Sequence, residues 1–193
     1  MSGVVRLTGG RIDKTREISF KFNGKTFTGY EGDTLASALL ANKKHFVARS
    51  FKYHRPRGIF SAGSEEPNAL VTLKKEKSIE PNVRATTIEL FEGLEAISQN
   101  HKGFLEFDLM RVNDFLSPFL SAGFYYKTFM WPKKFWEVLY EPVIRAAAGL
   151  GKLDMKSDPS KYDKGFLHCD LLIIGAGPAG LISAFEAATT GLK

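Results

Sequence analysis

The stretch ISFKFNGKTFTGY, residues 18–30, decides the first fold assignment. Ile18, Phe20 and Phe22 alternate with Ser19 and Lys21, the period of a half-buried strand. Asn23-Gly24 follows, a pair that tolerates the two positive φ angles of a type I′ turn. Thr26, Phe27 and Thr28 then begin a return strand, so the stretch predicts a β-hairpin. EGDTLASALLANKKH, residues 31–45, comes next. Asp33 or Thr34 is placed to cap a helix whose apolar stripe is Leu35, Ala38 and Leu39.

The segment beyond is FKYHRPRGIFSAGSEEPNALVTL, residues 51–73. A hairpin followed by a helix opens the β-grasp architecture of plant-type ferredoxins, and other small α+β domains open the same way. Plant-type [2Fe–2S] clusters are held by C-x4-C-x2-C and a later cysteine. Ser61, Glu66 and Ala69 stand at that spacing, and Thr86, in VRATT, stands where the fourth ligand falls. None of the four carries a thiolate, and Ala69 offers no ligand atom. The segment resembles the [2Fe-2S]-type N-terminal domain of amino-acid oxidase and dehydrogenase subunits, whose loop reads roughly H-R-P-R-G-x-x-C. His54 to Gly58 match that motif, and all four ligand positions depart from it. The expectation is a cluster-free domain, with no iron–sulfur cluster and no metal site. Lys52, His54, Arg55 and Arg57 gather in KYHRPRG. A solvated basic loop shaped by Pro56 and Gly58 is the preferred reading. An anchor for a cofactor phosphate or an acidic patch is the alternative.

The chain has 193 residues, room for one ordinary domain and part of a second. It is 44% hydrophobic and 25% charged, with a formal net charge of +6, so a globular class is expected. The basic residues are scattered, which argues against a nucleic-acid partner. The one cysteine, Cys169, cannot form an internal disulfide. With no secretory h-region near Met1, it points to a reducing, cytoplasmic setting. No apolar run is long enough for a membrane span.

Phe115 to Tyr140 holds ten aromatic residues, including both tryptophans. Such density suits a flavin pocket or base stacking. Packing in a core or at a subunit contact is preferred, because aromatic side chains bury large areas. A membrane-surface helix is disfavoured by Glu137 and Glu141. A helix is predicted from Pro132, with a break near Glu141 caused by Pro142, and Gly149 as its stop. Gly151 to Gly165 is polar and aperiodic, and reads as a linker.

The chain closes on HCDLLIIGAGPAGLISAFEAATTG, residues 168–191, and two more residues. Leu171 to Ile174 read as a strand buried on both faces, with Cys169 a small buried residue at its start. Gly175, Ala176, Gly177, Pro178, Ala179 and Gly180 form G-x-G-x-x-G. The first glycine makes the turn, the second lets the pyrophosphate approach, and the third permits close packing. A helix from about Pro178 to Thr190, stopped by Gly191, directs its N-terminal N–H groups at the phosphates. The acidic residue that reads the ribose falls about 20 positions on, past Lys193. A single strand with one helix cannot bury its apolar faces, so the isolated chain is expected to bind its dinucleotide weakly or not at all and to aggregate through unpaired strand edges.

Four strings carry a wider resemblance: SFKYHRPRGIFSAGSEEPNALV, EGLEAISQN, the aromatic run from Leu105 to Pro142, and the closing glycine motif. Together they are similar to the α subunits of heterotetrameric sarcosine oxidases, from about Ile18 to Lys193. That resemblance implies NAD at residues 175–180, FAD and FMN mainly on the β subunit, and β, γ and δ partners. It implies oxidative demethylation of sarcosine, and it assigns no catalytic residue to this chain. The expected fold class is α+β. Residues 1–98 form a cluster-free, ferredoxin-like β-grasp domain, and 99–165 an aromatic connecting segment and linker. Residues 166–193 open a Rossmann-type dinucleotide-binding domain. Two alternatives are a related amine or opine dehydrogenase subunit, which would keep the cluster cysteines, and a non-catalytic docking module.

Overall fold

A computed structural model describes residues 6, 9, 10, 12–75, 78–120, 122–123, 131–147, 150–157 and 161–192. The chain divides into two compact units, Met1–Asp158 and Pro159–Lys193.

The first unit is built on the hairpin. Strands β1 (Asp13–Phe22) and β2 (Lys25–Glu31) pair antiparallel, with Phe22 opposite Lys25. Asn23 and Gly24 take φ angles of 51° and 76°, the left-handed pair that a two-residue turn requires. Phe20 and Phe22 turn inward and are buried, while Lys21 between them is exposed. Helix α1 (Leu35–Ala41) follows. Thr34 Oγ1 accepts the Ser37 N–H at 3.1 Å, and Ser37 Oγ accepts the Thr34 N–H at 2.9 Å. This is a capping box with serine in the place usually held by glutamate. Asp33 is buried before it, accepting from Tyr30 N–H, Ser37 Oγ and the Arg6 guanidinium. Leu35, Ala38 and Leu39, the stripe read from sequence, are wholly buried.

Two short strands, β3 (Ala48–Arg49) and β4 (Pro56–Arg57), form a separate ribbon. Strands β5 (Leu70–Lys74), β6 (Ile79–Arg84) and β7 (Glu95–Ser98) complete the main sheet in the order β2-β1-β7-β5-β6. β1 and β7 are parallel, and the other pairings are antiparallel. One core joins Phe20, Phe22, α1, Val47, Val71, Ile88, Leu94 and Leu105.

The described residues of the aromatic segment, Phe115 to Tyr140, are not part of this core. Phe115, Phe119 and Trp131 are each at least 80% exposed. Residues 124–130 of the expected belt, and the Gly149 stop, lie outside the described residues. A short helix α2 (Val112–Phe115) stands before it. The helix predicted from Pro132 is irregular instead. A 3-10 turn (Lys133–Phe135) leads into a π turn (Trp136–Tyr140), then into helix α3 (Glu141–Ala147). Pro142 lacks an N–H and its ring crowds the preceding carbonyls. The chain meets this by widening the turn before it, with Glu141 N–H bonded five residues back to Trp136 O. The proline starts a regular helix here; the disruption falls on its N-terminal side. Part of the predicted linker is held to the sheet edge: Gly151 N–H donates to Asn82 Oδ1 at 2.9 Å, and Asp154 accepts from Ile79 N–H at 3.0 Å.

The second unit corrects the fold class. The expected first β–α unit of a Rossmann-type domain is not formed, because Leu171 to Ile174 make no strand. Leu172 and Ile174 are 72% and 90% exposed, and Cys169 is exposed as well. A strand exists through the neighbour that takes its N–H and C=O groups. Among the described residues of its own unit this stretch has no neighbouring strand. Helix α4 (Pro178–Thr189), whose hydrogen bonds are internal, forms without one. No helix among the described residues is long and apolar enough to cross a membrane.

The sheet–helix core sets a clear expectation. Leu39→Ala, at a site with no exposure, will cost about 2–5 kcal/mol in urea unfolding of the chain. A cost under about 1 kcal/mol would mean that α1 is not docked as described.

Candidate functional site

The loop from Gly58 to Ala69 is shaped by backbone constraints first. A Cβ on Gly58 would stand 2.6 Å from His45 O, so glycine is required where the loop leaves β4. A 3-10 turn spans Gly63–Glu65, entered through Gly63 at φ 78°. It turns Glu66 inward, to 1% exposure. There the carboxylate collects four backbone N–H groups. Oε2 accepts from Phe60 at 2.7 Å and Ser61 at 2.6 Å, and Oε1 accepts from Asn68 at 2.7 Å and Ala69 at 3.1 Å. Thr86 Oγ1 donates to Gly63 O at 2.6 Å, and Ala85 N–H to Ala69 O at 2.9 Å. The structure thus brings together Ser61, Glu66, Ala69 and Thr86, the four positions that spacing picked out. Burial pushes the Glu66 carboxyl up, and the N–H donors of Ser61, Asn68, Phe60 and Ala69 outweigh it, so its pKa lies below the ordinary value.

The KYHRPRG loop is only half solvated. Arg55 and Arg57 are exposed, and Arg55 pairs with Asp114 at 2.6 Å. His54 is buried, held at φ 54°, with Nδ1 2.5 Å from Asp108 Oδ2. Arg49, buried beside it, donates to the carbonyls of Leu105 (2.8 Å), His54 (2.7 Å) and Glu106 (3.1 Å). Asp108 also accepts the Lys102 and Met110 N–H groups at 2.9 and 3.0 Å. Burial raises its pKa, but those two N–H bonds and His54 together bring it below the ordinary value. Sequence reading missed Arg49 and Asp108. They lie 59 residues apart by their numbers and share no motif, so no local signal pointed to the pair.

The glycine motif lies in the second unit. Gly175, at φ 106°, makes the turn, and Gly177 is the N-cap of α4 with Pro178 just inside it. A Cβ on Gly180 would fall 2.1 Å from Gly175 O, so the third glycine is needed for the turn to close on the helix. A Cβ on Gly177 would meet nothing within 4 Å. That is the position at which a phosphate needs an unobstructed approach. Ala176 and Ala179 complete the motif and are exposed. Among the described residues no group of three or more His, Cys, Asp or Glu could hold a metal ion.

Comparison with known proteins places this arrangement in context. Residues 15–101 match the family described as a 2Fe-2S iron-sulfur cluster binding domain. Along nearly its whole length the chain is similar to proteins called sarcosine oxidase subunit alpha. It is 60% identical over 184 residues to the one from Rhizobium meliloti (strain 1021), covering 95% of this chain and 19% of that protein. It is 35% identical over 186 residues to the one from Corynebacterium sp. (strain P-1), covering 95% of this chain and 14% of that protein. The chain therefore spans less than a fifth of the length of these curated relatives. The crystal structure of L-proline dehydrogenase from P. horikoshii aligns with 48% of this chain and 17% of its own, at 26% identity. Its TM-score of 0.37 is too low to define a shared fold.

The resemblance to sarcosine oxidase α subunits read from the sequence is borne out by these relatives. The family match corrects two other expectations, the cluster-free fold class and the statement that there is no iron–sulfur cluster. That match spans 87 residues, counted from 15 to 101, and four ligand positions are a small part of it. The local chemistry is a separate matter. Ser61, Glu66, Ala69 and Thr86, arranged as described, do not fit a [2Fe–2S] centre, because they supply no thiolate and both Glu66 oxygens are taken up by N–H groups.

Two outcomes test this geometry. A carboxylate whose folded pKa is depressed contributes stability above its unfolded pKa, near 4.5 for Glu66, and loses it as pH falls through the folded value. The melting temperature of the chain will therefore fall more steeply on acidification below that point than that of Glu66→Gln; parallel curves would contradict the assignment. Asp108→Ala leaves the buried Arg49 without its counter-charge and His54 Nδ1 without its partner, and will cost about 3–5 kcal/mol in denaturant unfolding. A loss below about 1 kcal/mol would show that the pair is not buried as described.

Proposed function

We propose that this chain is part of an α subunit of a heterotetrameric sarcosine oxidase. The observation that carries the reading is 60% identity over 184 residues to a protein of that name. The reaction is the oxidative demethylation of sarcosine. It yields glycine, a one-carbon unit (formaldehyde or methylenetetrahydrofolate) and hydrogen peroxide, with oxygen as acceptor. β, γ and δ subunits complete the assembly in the cytoplasm, with FAD and FMN mainly on β supplying the redox chemistry.

In this reading the chain's own residues bind and position. The sheet of the first unit, with α1 across it, is a scaffold. The exposed Phe115, Phe119 and Trp131 suit a subunit contact, where aromatic side chains are enriched. Gly175, Ala176, Gly177, Pro178, Ala179 and Gly180 receive the pyrophosphate of a dinucleotide, NAD on the resemblance. Three features support this: the open space at Gly177, the positive φ of Gly175, and a start of α4 whose N-cap Gly177 supplies no side-chain cap. No side chain of this chain is assigned as catalytic acid, base or nucleophile.

Gly177→Ala separates binding from folding. The added Cβ meets nothing in the protein, so the melting temperature will hold, while it obstructs the phosphate. In the enzyme assembled with its flavin-bearing partner, NAD affinity will fall at least roughly tenfold, about 1.4 kcal/mol. Unchanged NAD affinity would remove the motif from the site. Absence of sarcosine-dependent peroxide from the wild-type assembly would remove the enzyme assignment.

A further inference from the structure

We propose that the loop from Phe60 to Ala69 is an anion-binding nest whose occupant is the chain's own Glu66 carboxylate. The observations are geometric. Two pairs of adjacent N–H groups, Phe60/Ser61 and Asn68/Ala69, reach the two oxygens of one carboxylate from opposite ends of the loop. Adjacent N–H groups directed into one concavity are the usual construction of a backbone anion site. At 1% exposure Glu66 is out of reach of water. The nearby Arg84 Nε donates to the Glu66 backbone oxygen at 3.1 Å, while the carboxylate takes its four hydrogen bonds from backbone N–H groups. Four amide dipoles therefore balance the charge.

The residues at the four positions picked out by spacing all take part in this nest. Ser61 and Ala69 contribute N–H groups, Glu66 the anion, and Thr86 fixes the turn through Gly63 O. The family whose model matches residues 15–101 is described as binding a 2Fe-2S iron-sulfur cluster, a centre whose sulfurs take hydrogen bonds. Here the same kind of donor array is met by a carboxylate. The nest is selective for a small monoanion with two oxygens about as far apart as those of Glu66. Formate is the smallest probe that supplies them.

Hydrogen exchange on the full chain reads the nest amide by amide. In Glu66→Ala the amides of Phe60, Ser61, Asn68 and Ala69 will exchange roughly tenfold faster or more. Formate will restore their protection saturably, with no effect on the wild type. Glu66→Gln guards against a variant that does not fold: its one carbonyl oxygen will keep one pair of amides protected and expose the other, and formate will not rescue it. Three results overturn the proposal. One is full protection of all four amides in Glu66→Ala. Another is a formate effect equal in wild type and variant. The third is stoichiometric iron and sulfide in the purified wild type that Glu66→Ala loses, which would make Glu66 a ligand rather than an occupant.

Discussion

The parallel pairing of β1 with β7 is the constraint on which the rest depends. Lys21 N–H donates to Leu94 O at 2.8 Å and Asn23 N–H to Ala96 O at 3.0 Å. The Asn23 side chain reinforces the seam by accepting the Ser98 N–H at 2.8 Å. These bonds join the β1–β2 hairpin to the β5–β6 pair, and without them the sheet would fall into two halves. Parallel strands cannot be joined by a tight turn. The chain between them must cross a face of the sheet, and α1, which shares the core with the strands, lies in that crossing. The core formed by Phe20, Leu35, Leu39 and Val71 is a consequence of that crossing.

Beyond Asp33 at the start of α1, buried charge marks two places where irregular chain is held in detail. At one, Glu66 is satisfied wholly by backbone N–H groups. At the other, Asp108 gathers Arg49, His54 and two N–H groups from its own loop. Both serve the same end: each ties segments with no regular structure to a fixed point. Irregular backbone cannot satisfy its own polar groups as a helix or sheet does, and a buried carboxylate accepts several at once. His54 shows the cost of this, since holding its ring against Asp108 goes with a left-handed backbone.

The second unit shows the limit of a motif. Its glycines take the conformations that a phosphate-binding turn requires, and α4 starts where Pro178 says it should. The apolar run before them is exposed. A helix closes its own hydrogen bonds, whereas a strand borrows them from neighbours. The same asymmetry explains why Pro142 could be read as a disturbance but not placed. Its effect depends on whether the preceding turn can widen, and here it does.

The sequence by itself determined whatever is settled within a few residues. The Asn23-Gly24 turn, the Thr34 cap, the Leu35–Leu39 stripe and the turn at Gly175 all follow from local backbone preference and side-chain period. It also singled out Ser61, Glu66, Ala69 and Thr86 by spacing, and treated them as ligand positions. Only the tertiary structure decided that Glu66 would be the centre of that group and the others its surroundings. It alone decided that His54 of a basic loop would be buried on Asp108, and that Phe115, Phe119 and Trp131 would stay exposed. The reason is the same throughout. Local conformation is set by sterics and nearest neighbours, while the fate of a charge or an aromatic ring is set by groups tens of residues away, which only the folded chain brings within hydrogen-bonding distance.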